Sequence, residues 1–106
     1  MGTFVRACHV DDIEEEGVHR FDHGDRSFAI YHSPDGEFFA TDGHCTHEHA
    51  HLAEGIVDGH EIECPLHFGA FDYRTGIPTV APACIALKTY PVKVEDGGVF
   101  IDVGDR

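Results

Sequence analysis

The sequence predicts an all-β fold, an antiparallel sandwich or barrel, from two observations. Short runs rich in β-branched and aromatic residues recur along the 106 residues, and Gly, Pro and Asp turn signals separate them. No segment between these runs has the pattern of the helices that alternate with strands in a parallel sheet. We expect one domain over residues 1–106, because this length supports a single core.

The N-terminal part contains four strand candidates, at residues 4–8, 18–22, 26–32 and 37–41. The acidic stretch 10–17 is too short for more than one helical turn. His23-Gly24-Asp25 predicts a hairpin turn, and Ser33-Pro34-Asp35-Gly36 carries strong turn chemistry. These signals predict consecutive antiparallel strands.

At the other end, residues 88–95 and 99–103 predict a hairpin joined by Asp96-Gly97-Gly98. Pro91 lies inside the first of these strands. Since proline has no N–H to donate to a neighbouring strand, it indicates an edge position or a bulge.

The composition changes between about residues 42 and 83, where two of the four Cys and six of the ten His residues lie and glycines recur. We expect a small, loop-rich subdomain on the β scaffold. Within it, residues 56–63 predict a hairpin that ends at Cys64, and residues 70–73 continue the pattern after the second ligand pair.

The charge balance limits the possible partners. Seven Lys and Arg against twenty Asp and Glu give a net charge of −13, which disfavours nucleic acid and anionic membranes. No stretch approaches the roughly 20 apolar residues of a membrane span, and no export signal is recognisable at the N-terminus. We therefore expect a cytoplasmic protein with reduced thiols.

Two short motifs carry the chemistry: Cys45-Thr46-His47 and, sixteen residues later, Cys64-Pro65-Leu66-His67. Two thiols and two imidazoles are enough to close a metal site. Zinc accepts such ligands, but its paired ligands are usually two to four residues apart, and the first pair here leaves only one. A [2Fe–2S] cluster with two Cys and two His ligands accounts for both the spacing and the ligand mix.

These two motifs closely resemble the two cluster-binding boxes of the Rieske family. The resemblance implies one [2Fe–2S] cluster, with Cys45 and Cys64 on the inner iron and His47 and His67 on the outer, exposed iron. Every iron position then has a protein or sulfide ligand, so we expect a one-electron carrier with no catalytic residues rather than an enzyme.

The same resemblance predicts a low reduction potential. Replacing two thiolates by imidazoles leaves the oxidised cluster neutral and raises its potential to between about −150 and +300 mV. High-potential relatives add a disulfide and two hydroxyls, but Ala50, Leu66, Gly69 and Phe71 occupy those positions here. Fewer hydrogen bonds to the cluster sulfurs favour the bottom of the range.

With these four differences from the high-potential relatives, the sequence is similar to the soluble Rieske-type ferredoxins of multicomponent aromatic ring-hydroxylating dioxygenases. This resemblance implies a monomer that carries electrons from an NAD(P)H-dependent flavin reductase to a terminal oxygenase. A small Rieske subunit of a nitrite-reductase-type complex is an alternative. A zinc-stabilised interaction module is another, from a different functional class.

Several residues near the motifs have less specific interpretations. We expect exposed loop positions for His44, His49 and His51, with a role in docking as the alternative, and buried apolar positions for Cys8 and Cys84. Residues 77–83 resemble the proline-bearing loop that covers the cluster in Rieske domains. The remaining expectations are an apolar docking rim of Leu66, Phe68 and Pro82, an exposed docking charge at Glu48 and a structural hydrogen bond at Asp72.

Overall fold

The computed structural model describes residues 2–46, 50–66, 69–81, 83 and 85–104. In this part of the chain, eleven strands form three antiparallel sheets, and there is no α-helix. The all-β prediction is therefore confirmed. The strands are β1 (Phe4–His9), β2 (Gly17–His23), β3 (Arg26–His32), β4 (Phe38–Asp42), β5 (Ile56–Asp58), β6 (Glu61–Glu63), β7 (Ala70–Asp72), β8 (Pro78–Val80), β9 (Thr89–Tyr90), β10 (Val92–Glu95) and β11 (Gly98–Asp102).

Two single-turn 3₁₀ helices complete the regular structure, at Val10–Asp12 and Leu52–Glu54. The first lies in the acidic stretch for which one helical turn was predicted. No helix in the described residues is long and apolar enough to cross a membrane.

The central sheet, in the order β2-β3-β4-β9, separates two hydrophobic cores. Successive side chains of a strand point to opposite faces, so β3 contributes to both cores. Phe28 and Ile30 pack in one core, whereas Ala29 and Tyr31 pack in the other, and all four are fully buried. Burial on both faces explains the uninterrupted apolar run in this strand.

The first core lies between the central sheet and the terminal sheet, which has the order β1-β11-β10. The predicted strand 88–95 does not stay within one sheet. Thr89 and Tyr90 pair with β4, and after Pro91 the chain pairs with β11 from Val92 onward. Pro91 therefore marks the point where the chain passes from one sheet to the other, rather than a bulge within one strand.

The third sheet, in the order β5-β6-β7-β8, contains the region that was predicted to be loop-rich. The hairpin of β5 and β6 is confirmed, and it turns at Gly59, whose φ is 62°. Part of the segment 77–83 is regular structure, because Pro78–Val80 forms the fourth strand of this sheet. The second core lies between this sheet and the central sheet. The inner face of the β5–β8 sheet covers it through Val57, Ile62 and Phe71.

Candidate metal centre

Cys45 and Cys64 lie in the same hydrophobic core, the one between the central sheet and the β5–β8 sheet. Both are buried, although 18 residues separate them in the sequence. Apolar side chains surround them, including Leu52, Ile62 and Phe71. The fold thus brings the two predicted cysteine ligands into one water-poor environment. The two predicted histidine ligands, His47 and His67, lie outside the described residues.

Each of these cysteines is the first residue of a six-residue loop. A hydrogen bond between the backbones of the first and sixth residues closes the loop. In loop 1, residues 45–50, the N–H of Cys45 donates to the carbonyl of Ala50 at 3.0 Å. In loop 2, residues 64–69, the N–H of Cys64 donates to the carbonyl of Gly69 at 2.7 Å. Both loops therefore begin with a cysteine, and in the sequence the predicted histidine ligand falls between the two residues that close the loop.

The residues that flank the two loops are also equivalent. Loop 1 lies between His44 and His51, which form an antiparallel bridge. Loop 2 lies between Glu63 and Ala70, which are antiparallel partners in β6 and β7. Since an antiparallel pair brings its two strands to a common end, each loop is the tip of a hairpin.

His51 attaches loop 1 to the central sheet. Its side chain is only 5% exposed, and its Nδ1 accepts the N–H of Ala53 at 3.0 Å. The proton of the neutral ring is then on Nε2, which donates to the hydroxyl of Ser27 at 2.8 Å. That hydroxyl donates to Asp22 at 2.6 Å, and Arg20 pairs with the same carboxylate.

The expectation of an exposed loop position is therefore wrong for His51. Burial lowers the pKa of His51, and the positive charge of Arg20 and the neighbouring His44 lower it further. Gly43 makes room for the ring, since a side chain there would collide with Nε2 of His51. His44 is exposed, as expected, and its ring lies 5.1 Å from that of His51. His49 lies outside the described residues.

A third segment, residues 83 and 85–87, contacts loop 1 and packs in the core that holds both cysteines. The hydroxyl of Thr46 in loop 1 donates to the carbonyl of Ile85 at 2.7 Å. Ala83 and Leu87 are buried in the same core as the two cysteines. Of residues 77–83, for which a covering role is predicted, Ala83 lies in this core, whereas Pro82 and the nearby Cys84 lie outside the described residues.

The four positions that indicated a low potential carry no side-chain hydroxyl or thiol. Phe71 is fully buried in the core with the cysteines, and Ala50 packs against that core. Gly69 closes loop 2 through its carbonyl. Leu66, also in loop 2, is 48% exposed, in agreement with a place on the docking rim; its predicted neighbour Phe68 is outside the described residues.

Two other predictions concern residues near the centre. Asp72 makes the expected structural contacts: it accepts from the Arg74 guanidinium at 2.8 and 3.1 Å and from the Arg74 N–H, which together lower its pKa. Cys8 is buried as expected, but in the first core, where burial raises its pKa to about 11. Glu48 lies outside the described residues.

Sequence reasoning missed two features of the site, the burial of His51 and the bond from Thr46 to Ile85. Each depends on a partner that is more than twenty residues away. The apolar Leu52 directly after His51 is the one local signal that this segment turns inward.

The donor set of the two loops suits an iron–sulfur cluster. Two buried cysteines at the tips of two facing hairpins, in one apolar core, fit an inner iron held by two thiolates. The Rieske [2Fe–2S] domain model matches residues 3–91. This chain belongs to the Rieske family. The prediction of one [2Fe–2S] cluster is thereby confirmed.

Individual relatives of this Rieske chain are ferredoxins. The ferredoxin component of the p-cumate 2,3-dioxygenase system of Pseudomonas putida is 45% identical over 106 residues, which cover 98% of this chain and 89% of that protein. A chain in a solved complex of reduced oxygenase and oxidised ferredoxin in carbazole 1,9a-dioxygenase has a TM-score of 0.91. The two sequences are 34% identical, and the match covers 100% of this chain and 98% of that chain.

The Rieske fold also occurs in a solved protein described as a small subunit of NADPH nitrite reductase. Its TM-score is 0.79, with 23% identity, over 93% of this chain and 97% of that chain. At this identity the likeness shows the fold alone.

Proposed function

We propose that this Rieske ferredoxin carries single electrons from an NAD(P)H-dependent flavin reductase to the terminal oxygenase of an aromatic ring-hydroxylating dioxygenase system. The single observation that carries the proposal is the full-length similarity to ferredoxin components of such systems, with the buried Cys45 and Cys64 at the hairpin tips. One domain spanning residues 1–106, with its cluster-binding part at about 42–83, would act as a cytoplasmic monomer.

Four residues would hold the cluster: Cys45 and Cys64 on the inner iron, and His47 and His67 on the outer iron. When bound, the cluster supplies a one-electron couple. The core around the cysteines keeps water away from their sulfurs, which strengthens every electrostatic interaction there. The closing hydrogen bonds of loops 1 and 2 hold the backbone of Cys45 and of Cys64 in place.

The partner would dock where the loops meet solvent. Leu66 in loop 2 is 48% exposed, and Ile85 in the third segment is 61% exposed. Thr46 connects loop 1 to the backbone of Ile85, so loop 1 and the third segment meet at this end of the molecule. Exposed apolar side chains suit a short-lived contact with a protein partner.

The alternatives have less support. The nitrite-reductase-type subunit shares only the fold at 23% identity, whereas the dioxygenase ferredoxins reach 45%. A zinc-stabilised module does not account for membership of a [2Fe–2S] family.

A reconstituted electron-transfer assay tests the proposal. The purified, red-brown protein is mixed with the flavin reductase and the oxygenase encoded beside it, and NADH or NADPH oxidation is followed with an aromatic substrate. We expect turnover that rises with the concentration of this protein and stops without it. Turnover that is independent of this protein would overturn the proposal, as would a colourless zinc-loaded preparation.

A further inference from the structure

The outer face of the β5–β8 sheet is acidic, and no other strand or helix of the described residues lines its groove. Its side chains line a groove of about 180 Å³ and are here called the acidic face: Ile56, Asp58, Glu61, Glu63, Ala70 and Val80. The opposite face of the same sheet is buried against the second core. Because side chains alternate along a strand, these six residues share one side of the sheet, and all of them except Ala70 are at least partly exposed.

The charges on this face are arranged in register. Asp58 in β5 is directly opposite Glu61 in β6, and Glu61 is opposite Asp72 in β7. Like charges in directly opposite positions destabilise a sheet. Asp72 is neutralised by Arg74, whose Nη2 lies 2.8 Å from its carboxylate. Arg74 is the only Lys or Arg between residues 56 and 80.

The other carboxylates of this face have no such cationic neighbour among the described residues. Among the described residues, Asp58, Glu61 and Glu63 form no ion pair. Neutral or basic residues would relieve the repulsion between Asp58 and Glu61 without disturbing the buried side of the sheet. The arrangement thus favours an interaction in which an external cationic surface supplies the missing charge.

Apolar side chains flank the acidic residues. Ile56 is 63% exposed and Val80 is 46% exposed, at opposite ends of the row formed by Ile56, Glu63, Ala70 and Val80. Contact between proteins commonly combines such apolar area with a complementary charge pattern. A small inorganic cation would need the carboxylates but not the apolar side chains.

The acidic face is continuous with the metal centre. Glu63 directly precedes Cys64, and Ala70 directly follows Gly69, so the row nearest loop 2 begins where the loop ends. The pair Asp58 and Glu61 lies two residues farther along the strands, roughly 7 Å away. A partner that reaches the tip of loop 2 can therefore extend over this face.

We propose that the acidic face is a docking surface for a protein electron-transfer partner that presents Lys and Arg side chains around an apolar patch. This inference rests on the proposed electron-carrier function and adds to it a lateral surface beside the cluster-bearing loops. The cationic side chains contact Asp58, Glu61 and Glu63, and the apolar patch contacts Ile56 and Val80.

A stopped-flow experiment tests this surface with ferricytochrome c, a small basic haem protein, as the probe. The dithionite-reduced holoprotein passes one electron to the ferric haem, and the second-order rate constant is measured at low and high ionic strength. We expect D58N/E61Q to lower that rate constant about 3- to 10-fold at low ionic strength. The difference from wild type disappears at about 0.5 M salt, because the salt screens exposed charges.

The matched control is D25N/E95Q, which removes the same charge from a turn and from β10, away from the β5–β8 sheet. It is expected to change the rate constant by less than about 2-fold. Equal losses in the two double variants would overturn the proposal, because only net charge would then matter. No loss in D58N/E61Q would overturn it as well.

Two further measurements complete the test. Ile56→Thr is expected to lower the rate constant at both ionic strengths, since it removes apolar contact rather than charge; an unchanged rate removes Ile56 from the surface and overturns the apolar part of the proposal. Oxidation by ferricyanide, a small anionic acceptor, separates failure of the electron-carrier function from failure of the docking surface. A protein that cannot reduce ferricyanide fails as an electron carrier, whereas normal oxidation by ferricyanide with equal losses in both double variants overturns only the docking surface.

Discussion

The imidazole of His51 and the hydroxyl of Ser27 lie 2.8 Å apart and connect loop 1 of the metal centre to the central sheet. Ser27 is the second residue of β3, and its carbonyl also accepts the N–H of Gly43, just before loop 1. This polar contact therefore joins the start of the cluster-bearing region to a strand that is buried in both cores.

The first prediction concerns this contact. Ser27→Ala removes the acceptor of the His51 Nε2 proton and leaves a nearly buried donor unpaired. We expect the free energy of unfolding to fall by about 1–3 kcal/mol. Denaturant unfolding of the holoprotein, followed by circular dichroism, measures the change. Thr79→Ala in exposed β8 is the control and should change stability by less than about 0.5 kcal/mol; equal effects would contradict a special role for Ser27.

The second prediction concerns pH. Burial lowers the pKa of His51 below its usual 6.5, so the unfolded chain takes up a proton at a higher pH than the folded one. The contribution of neutral His51 to stability is therefore complete above about pH 6.5 and is lost as the pH falls below it. The charged groups that act on the ring are Arg20 and His44, which lower its pKa, and Asp22 and Glu54, which raise it.

A variant separates this effect from other titrations. The difference in thermal midpoint between wild type and His51→Gln, at a fixed scan rate, should shrink as the pH is lowered from 7.5 to 5.5. A difference that stays constant over this interval would show that His51 does not titrate on unfolding.

The third prediction compares two buried cysteines. Cys45 begins loop 1 in the second core, whereas Cys8 lies in the first core, on the other side of the central sheet. Cys45→Ser should abolish the sulfide-to-iron absorption bands, because a hydroxyl is a poor replacement for a thiolate on iron. Cys8→Ala should keep the bands at full intensity and lose only about 1–2 kcal/mol of stability from the buried volume. Absorbance and iron content per protein measure both outcomes; loss of iron in Cys8→Ala would place Cys8 among the ligands.

The fourth prediction is the reduction potential. The positions at which high-potential relatives carry a disulfide and two hydroxyls are Ala50, Leu66, Gly69 and Phe71. We expect a midpoint near the bottom of the range from about −150 to +300 mV. A redox titration monitored by electron paramagnetic resonance gives this value. A midpoint well above zero would mean that other donors bind the cluster sulfurs.

Much of the fold follows from local signals. Turn residues such as Gly59 and the pair Gly24 and Asp25 define hairpins, because their backbone preferences act over a few residues. The same holds for the two ligand motifs, whose spacing within a single turn indicates an iron–sulfur cluster rather than zinc. The edge position indicated by Pro91 is confirmed, since β9 and β10 are both edge strands, but a break in one strand does not show which sheet each half will join.

The sequence by itself determined the all-β class, the hairpins and the Rieske family with its cluster, since turn chemistry and ligand spacing are properties of short segments. Only the tertiary structure decided that His51 turns inward onto Ser27 and that Cys45 and Cys64 share one core. It also placed Asp58, Glu61 and Asp72 in register on one exposed face. These features depend on pairings between segments far apart in the chain, which the burial of the two cores selects.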